Sequence, residues 1–387
     1  MKLIVIGLGQ CGSRIADEFA RLNRQALSQR NIEICPGAFA VNTDATDLSG
    51  LRTIKSDHQS RILIGNRRCG GHGVGKINEI GAEVAKEDAD KIVDALRSCK
   101  NFYETDGFLL VASTGGGTGS GSLPIIVKSV KERYSDKPVY AMAVMPFEHE
   151  QENEERTIYN SAVCLKSVYS VADAVILVDN QRYVKKGYSL QHNLDTINEL
   201  ISQPFYDLLC AGEENKSQRV GSKTLDAGDI IQTLSGWTVI GYGSSKSGGG
   251  KSGLTDFRQK NTDTHKGIQA MDAAIADLST KVHPRDAGRA MYLVSAPPKD
   301  VHLDLVKDLG DWLKDLAPNA VIRNGDYPTG SALNVTLILS ELSDVEIVRD
   351  YYTKSTDLVP IIKLRQEEVR LKLRGMDSAG KDIPTVF

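Results

Sequence analysis

The chain lacks paired cysteines. Its six, at positions 11, 35, 69, 99, 164 and 210 of 387, stand singly with no C-x-x-C among them. Neither a disulfide framework nor a cysteine metal site fits that scatter, whereas a reducing cytoplasm does. No apolar stretch approaches the roughly 20 residues of a membrane-spanning helix, so no integral membrane segment is expected. The opening LIVIGLGQCG is apolar, but it has one lysine before it and no cleavage site, which is not the layout of a signal peptide. Net charge is also lacking. Against 47 basic side chains stand 50 acidic ones, and the resulting −3 gives no sign of a nucleic-acid partner. What is left is an ordinary globular composition, 41% hydrophobic and 25% charged, in a chain long enough for two domains or one large one.

Short apolar runs alternate with helical periodicity through the first half. KLIVIG (2–7), GAFAVNT (37–43), RILIG (61–65), DGFLLVA (106–112), PVYAMAVMP (138–146) and AVILVDN (174–180) read as strands. Between them, Ile15, Phe19, Leu22 and Ala26 share one helical face, and IVDALRSC reads as helix. The alternation predicts an α/β fold with a doubly wound, mostly parallel sheet. A long helix over about 189–211 follows. The strands WTVIGYG, GRAMYLVSAP, NAVIRNG and ALNVTLILSEL, separated by two helical runs, then predict a smaller α+β domain. The basic run IIKLRQEEVRLKLRG (361–375) is helical in pattern and is expected to pack on that second domain. The expected divisions are 1–186, a central helix at 187–212, an α+β domain at 213–350 and a helical tail at 351–387.

Glycine punctuates this pattern where chemistry is expected. STGGGTGSGS (113–122) follows an apolar strand, and the next run, LPIIVKSVKERY, has helical spacing with Pro124 where a first turn tolerates it. A strand-to-helix turn of this kind can aim several backbone N–H groups, and the positive end of the helix, at phosphate. GLGQCG (7–12) fits G-x-G-x-x-G and alone would indicate an NAD-dependent oxidoreductase. The acidic residue that should end the second strand comes late, however, and one dinucleotide does not need the further turn CGGHGVGK (69–76). SKSGGGKS (245–252) ends as a phosphate-binding P-loop ends, but Ser245 replaces its first glycine and no periodic helix follows. Several glycine turns along one sheet edge could together surround a triphosphate.

The combination resembles the tubulin/FtsZ superfamily. GGGTGSG (115–121) is similar to its signature, GQCG (9–12) to tubulin's first loop, and NTDATDL (42–48) and MPF (145–147) to FtsZ. GHGVG, TINEL and LCAGEE resemble the archaeal CetZ branch most. The resemblance implies a GTPase that binds GTP or GDP with Mg²⁺ and polymerises with itself head to tail, in cell-shape control or division, with adaptor proteins unspecified. Gln10 and Cys11, with Gly9 and Ser13 in the same turn, would lie against the α- and β-phosphates. Gly115, Gly116, Gly117, Thr118, Gly119 and Ser120 would cradle β and γ. Gly71, Gly73 and Gly75 would close on the γ-phosphate, with Asp44 near the metal or its waters. Glu152 and Arg156, four apart, would reach the ribose, and the other glutamates of EHEQENEE read as a solvated acidic loop. Asn180 and Asn198 would bind the guanine edge, an amide being able both to accept from N1–H or N2–H₂ and to donate to O6. Leu194 takes the position where the family stacks an aromatic on the base.

TLDAGDII (224–231) is similar to the family's N-x-D-x-x-D loop, with Thr224 in place of the asparagine. Asp226 and Asp229 suit a helix start on physical grounds alone, as cap and first-turn acid. The resemblance also implies that they act on the nucleotide of the next subunit. A GTP-binding regulator that does not polymerise is the remaining alternative.

Overall fold

Ile4, Ile6 and Leu8 of β1 (Leu3–Leu8) pack into one hydrophobic layer and Leu3 and Val5 into another, because successive side chains of a strand point to opposite faces. That division runs through the whole molecule. The computed structural model describes residues 1–184, 190–214, 220–245, 256–329, 332–381 and 383. After β1 come α1 (Gly9–Arg30), β2 (Gly37–Asn42), α2 (Ala45–Ser49), β3 (Arg61–Leu63), α3 (Asn66–Cys69), α4 (Asn78–Glu87) and α5 (Ala89–Leu96). Then follow β4 (Gly107–Ser113), α6 (Thr118–Arg133), β5 (Val139–Met145), α7 (Glu148–Asn153), α8 (Glu155–Tyr169) and β6 (Ala174–Asp179). The long helix α9 (Leu190–Ala211) leads to α10 (Ala227–Thr233), β7 (Gly236–Ser244), α11 (Asp256–Ala276), β8 (Ala287–Ala296) and α12 (Leu303–Leu316). The chain closes with β9 (Val321–Pro328), β10 (Asn334–Leu342) and α13 (Glu346–Gly380).

The strands form one sheet in the order β3-β2-β1-β4-β5-β6-β7-β10-β8-β9. From β3 to β7 every pairing is parallel; β10 runs antiparallel to both β7 and β8. The doubly wound parallel sheet is thus present. The α+β part is joined to it through β7, whose first residues pair with β6 and whose remainder pairs with β10. Strand periodicity alone assigns WTVIGYG to the second part only, because periodicity carries no information about partners.

Helix α6 starts at Thr118, inside the glycine run and six residues before Pro124. Pro124 therefore falls in the second turn, where it leaves the Ser120 carbonyl without its helical donor. The glycines are needed for clearance: a Cβ on Gly121 would sit 2.1 Å from the Asn78 carbonyl oxygen on α4. Gly121→Ala is expected to force α4 and α6 apart and lower stability by about 1–3 kcal/mol, read as a reduced melting temperature with the secondary structure retained.

The tail corrects another expectation. Helix α13 packs along α8, on the first half of the molecule, with Arg365 3.0 Å from Glu155. The P-loop-like segment 246–252, with Lys251, lies outside the described residues.

Candidate functional site

A cavity of about 420 Å³ opens at the carboxyl ends of the central parallel strands. Two helices end there by their N-termini. Leu8, Gly9, Gln10 and Cys11 bring the start of α1, and Gly117, Thr118 and Gly119 bring the start of α6. A Cβ on Gly9 would lie 3.0 Å from the Gly119 amide nitrogen, so the two termini all but touch, and Gly9 itself needs a φ of +71°. Neither helix has a side-chain cap or an acidic residue in its first turn. In contrast, α2 is capped by Asp44 and α10 by Asp226. Uncapped N–H groups and two positive helix ends converging on one hollow make a site for an anion.

Three further loops complete the wall. Gly71, Gly73, Gly75 and Lys76 all have φ above +50°, which curls residues 70–76 over the cavity. The Ala45 amide donates to Gly71 O (3.1 Å) and the Gly73 amide to Thr43 O (3.3 Å). Gly73 and Lys76 line the cavity; Gly71 and Gly75 do not, and Gly75 lines an adjoining depression instead. Asp44 lines it while its Oδ1 accepts the Thr46 and Asp47 amides. Asp47, which the sequence did not single out, takes Gln10 Nε2 at 2.8 Å and Asn42 Nδ2 at 2.9 Å. Ser13 and Ser120 are buried just behind the helix starts, Ser13 with its Oγ unpartnered and Ser120 bonded to Gly116 O.

The ribose pair of the sequence reading is not brought into this cavity. Glu152 and Arg156 line an adjoining depression, and the Arg156 guanidinium is taken by Glu79 and lies 5.4 Å over the Tyr159 ring. Their four-residue spacing is not helical, because the backbone breaks at Glu154 (φ −143°, ψ 108°) between α7 and α8. His149 and Glu150 line the cavity instead, so EHEQENEE is not merely a solvated loop. The Glu150 carboxylate accepts the Phe147 amide at 2.9 Å. Burial, reinforced by Glu150, pushes the Cys11 thiol up to about 12, which keeps it neutral against an anion.

Asn180 and Leu194 lie at the α9 side of the cavity. Asp179 Oδ1 accepts the Gln181 amide (3.0 Å) and fixes the turn that carries Asn180. Asn198 sits one helical turn beyond Leu194 on the same face and is 8% exposed, without itself lining the hollow.

The acidic pair lies elsewhere. Asp226 Oδ1 accepts the Asp229 amide (2.9 Å) as the cap of α10, and Asp229 is 3.5 Å from Arg323 of β9. Helix α10 directly precedes β7, which runs parallel to β6, whereas the cavity lies beyond the strands' carboxyl ends. Cavity and acidic pair therefore occupy opposite edges of the sheet.

Residues 2–186 match the tubulin/FtsZ family, GTPase domain, and residues 187–357 the tubulin-like CetZ, C-terminal domain. The chain is 34% identical over 370 residues to tubulin-like protein CetZ1 of Haloferax volcanii, covering 90% of each. The chain belongs to the CetZ branch of the tubulin/FtsZ family. The CetZ chain also superposes on the GDP-bound monomer of H. volcanii CetZ1 with a TM-score of 0.78, at 31% identity, covering 92% of this chain and 99% of that one. Against CetZ2 of H. volcanii, a GTPγS-bound protofilament, the TM-score is 0.79 at 28% identity, over 94% and 100% of the chains. Membership sets aside the oxidoreductase reading of GLGQCG. No helix among the described residues is long and apolar enough to cross a membrane.

Proposed function

We propose that this CetZ-family chain binds GTP in the cavity, assembles head to tail, and hydrolyses GTP where the acidic loop of one subunit meets the cavity of the next. The observation that carries this is the meeting of two uncapped helix N-termini in a single hollow. A GDP-bound monomer and a GTPγS-bound protofilament among its relatives support it. In this reading the amides of Gly9, Gln10 and Cys11 and of residues 115–119 take the phosphates, with residues 71–75 closing over them. Ser13 fits the same role, since its buried, unpartnered hydroxyl gains an acceptor when phosphate is present. Asn180 and Asn198 read the guanine edge, with Leu194 against the base. Glu150, which lines the cavity where Glu152 does not, would serve the sugar in this reading.

The residues present also fit Mg²⁺. Asp44 spends only Oδ1 on backbone amides, leaving Oδ2 for a metal-bound water. No group of three His, Cys, Asp or Glu among the described residues could hold a metal alone. Mg²⁺ suits such a site because it keeps waters and leans on substrate phosphate. When bound it would neutralise charge developing on the phosphates. Asp226 and Asp229, three apart at a helix start, project to one side and can orient one water. Such filaments would act in the cytoplasm, in cell-shape control or division.

Titration calorimetry tests the ligand. GTP and GDP are expected to bind at least about a hundredfold more tightly than ATP or NAD, and Asn180→Asp or Asn198→Asp to erode that preference by removing the donor to O6. Equal or tighter binding of ATP or NAD contradicts the assignment.

A further inference from the structure

The charge balance of the cavity wall is uneven. Asp44, Asp47 and Glu150 place three carboxylates on it, whereas Lys76 is the one lysine or arginine among the described lining residues. Two helix ends can satisfy part of an anion's charge, but they are fractional charges fixed in place. A further full negative charge calls for a mobile cation, and a lysine on its four-carbon stem is one.

Lys76 is held in an unusual way. Its φ of +60° is a left-handed conformation that costs a side-chain-bearing residue about 1 kcal/mol or more. Asn160 on α8, fully buried, maintains it: Nδ2 donates to Lys76 O at 2.9 Å and lies 3.1 Å from Gly115 O and 3.2 Å from Gly116 O. The same loop closes on α6, since a Cβ on Gly117 would lie 2.6 Å from Val74 Cγ2 and 2.8 Å from the Ile77 nitrogen. The Lys76 backbone is thus locked to the turn that starts α6. Its side chain is not locked. Nζ lies 2.5 Å from Glu154 Oε2, and both side chains are about half exposed. Glu154 does not line the cavity but lines the adjoining depression, while Lys76 lines both.

We propose that Lys76 is the residue that distinguishes a triphosphate from a diphosphate: its ammonium leaves Glu154 for the terminal phosphate of GTP and returns to Glu154 when only GDP is bound. This rests on the guanine-nucleotide reading above. A surface ion pair is worth little and is easily exchanged, whereas an ammonium bonded to phosphate inside the site is a charge-assisted contact of the stronger kind. Glu154 then acts as a competitor that stores the lysine between nucleotides. It sits at the break between α7 and α8, so the exchange also reaches the segment that Arg365 of α13 braces through Glu155.

The test is calorimetry of GTPγS and of GDP on the full chain, on Lys76→Gln and on Glu154→Gln. Both side chains stand half in solvent, so neither change threatens the fold. Lys76→Gln is expected to weaken GTPγS about tenfold and GDP less than about twofold, so that the ratio of the two affinities falls. Glu154→Gln is expected to raise that ratio, because the competitor is gone. A Lys76→Gln that weakens both nucleotides equally, or neither, overturns the inference, as does a Glu154→Gln that lowers the ratio. A wild-type chain that binds neither nucleotide overturns the guanine-nucleotide reading and this inference together, which tells the two failures apart.

Discussion

Gly116→Val is expected to lower GTP affinity by at least about a hundredfold while moving the melting temperature by no more than about 3 °C. The reason is specific to this glycine. Gly116 lines the cavity, and a Cβ built on it meets nothing within 4 Å, so the fold itself leaves room for a larger residue. The space would be contested only by a ligand. Its neighbours behave differently: a Cβ on Gly115 would lie 2.8 Å from Thr157 Cγ2, and one on Gly117 would lie 2.6 Å from Val74 Cγ2. Gly117→Val should therefore abolish binding too, but through displacement of residues 74–77 and with a measurable loss of stability. Thermal melts with and without GTP separate the cases. A Gly116→Val protein that binds GTP as the wild type does would mean that the phosphates do not pass this turn.

The second large effect is expected at the other edge of the sheet. Asp226→Asn combined with Asp229→Asn should reduce GTP turnover by about 10² to 10⁴-fold, with GTP affinity within about twofold of the wild type. Asparagine is the right replacement, because Asp226 caps α10 and an alanine would cost about 1 kcal/mol of helix stability on top of any chemical effect. An asparagine keeps the cap and removes the charge that polarises a water. Filaments of the double variant, where they form, should persist, since the nucleotide that favours contact is not consumed. Full activity in the double variant would leave the two residues as helix cap and first-turn acid only.

Much of this was legible in the sequence because it depends on near neighbours. The buried strands announce themselves as continuous apolar runs, and the glycine turns after β1 and β4 stand where the sheet ends. What was hidden depends on contacts between distant segments. Gly121 of α6 must lie bare against α4, a close approach that no local pattern reveals. Glu150 and Glu152 are equivalent by composition and share helix α7, and only the packing of that helix decides which one turns to the cavity. Asp47 and Lys76 are surface-like polar residues whose importance comes from what they face. The tail helix is apolar enough to pack somewhere, but nothing in its periodicity says that α8 is the partner. The family signature supplied roles for the acidic loop that spacing alone could not.

The central claim is that cavity and acidic pair, lying at opposite edges of one subunit, act together only across two. Turnover of GTP per molecule, measured across a wide range of protein concentration, tests it most directly. The expected result is a turnover that is negligible at high dilution and rises as subunits associate. A turnover per molecule that stays constant over the whole range would place the carboxylates and the nucleotide in the same subunit, against their position at opposite edges of the sheet.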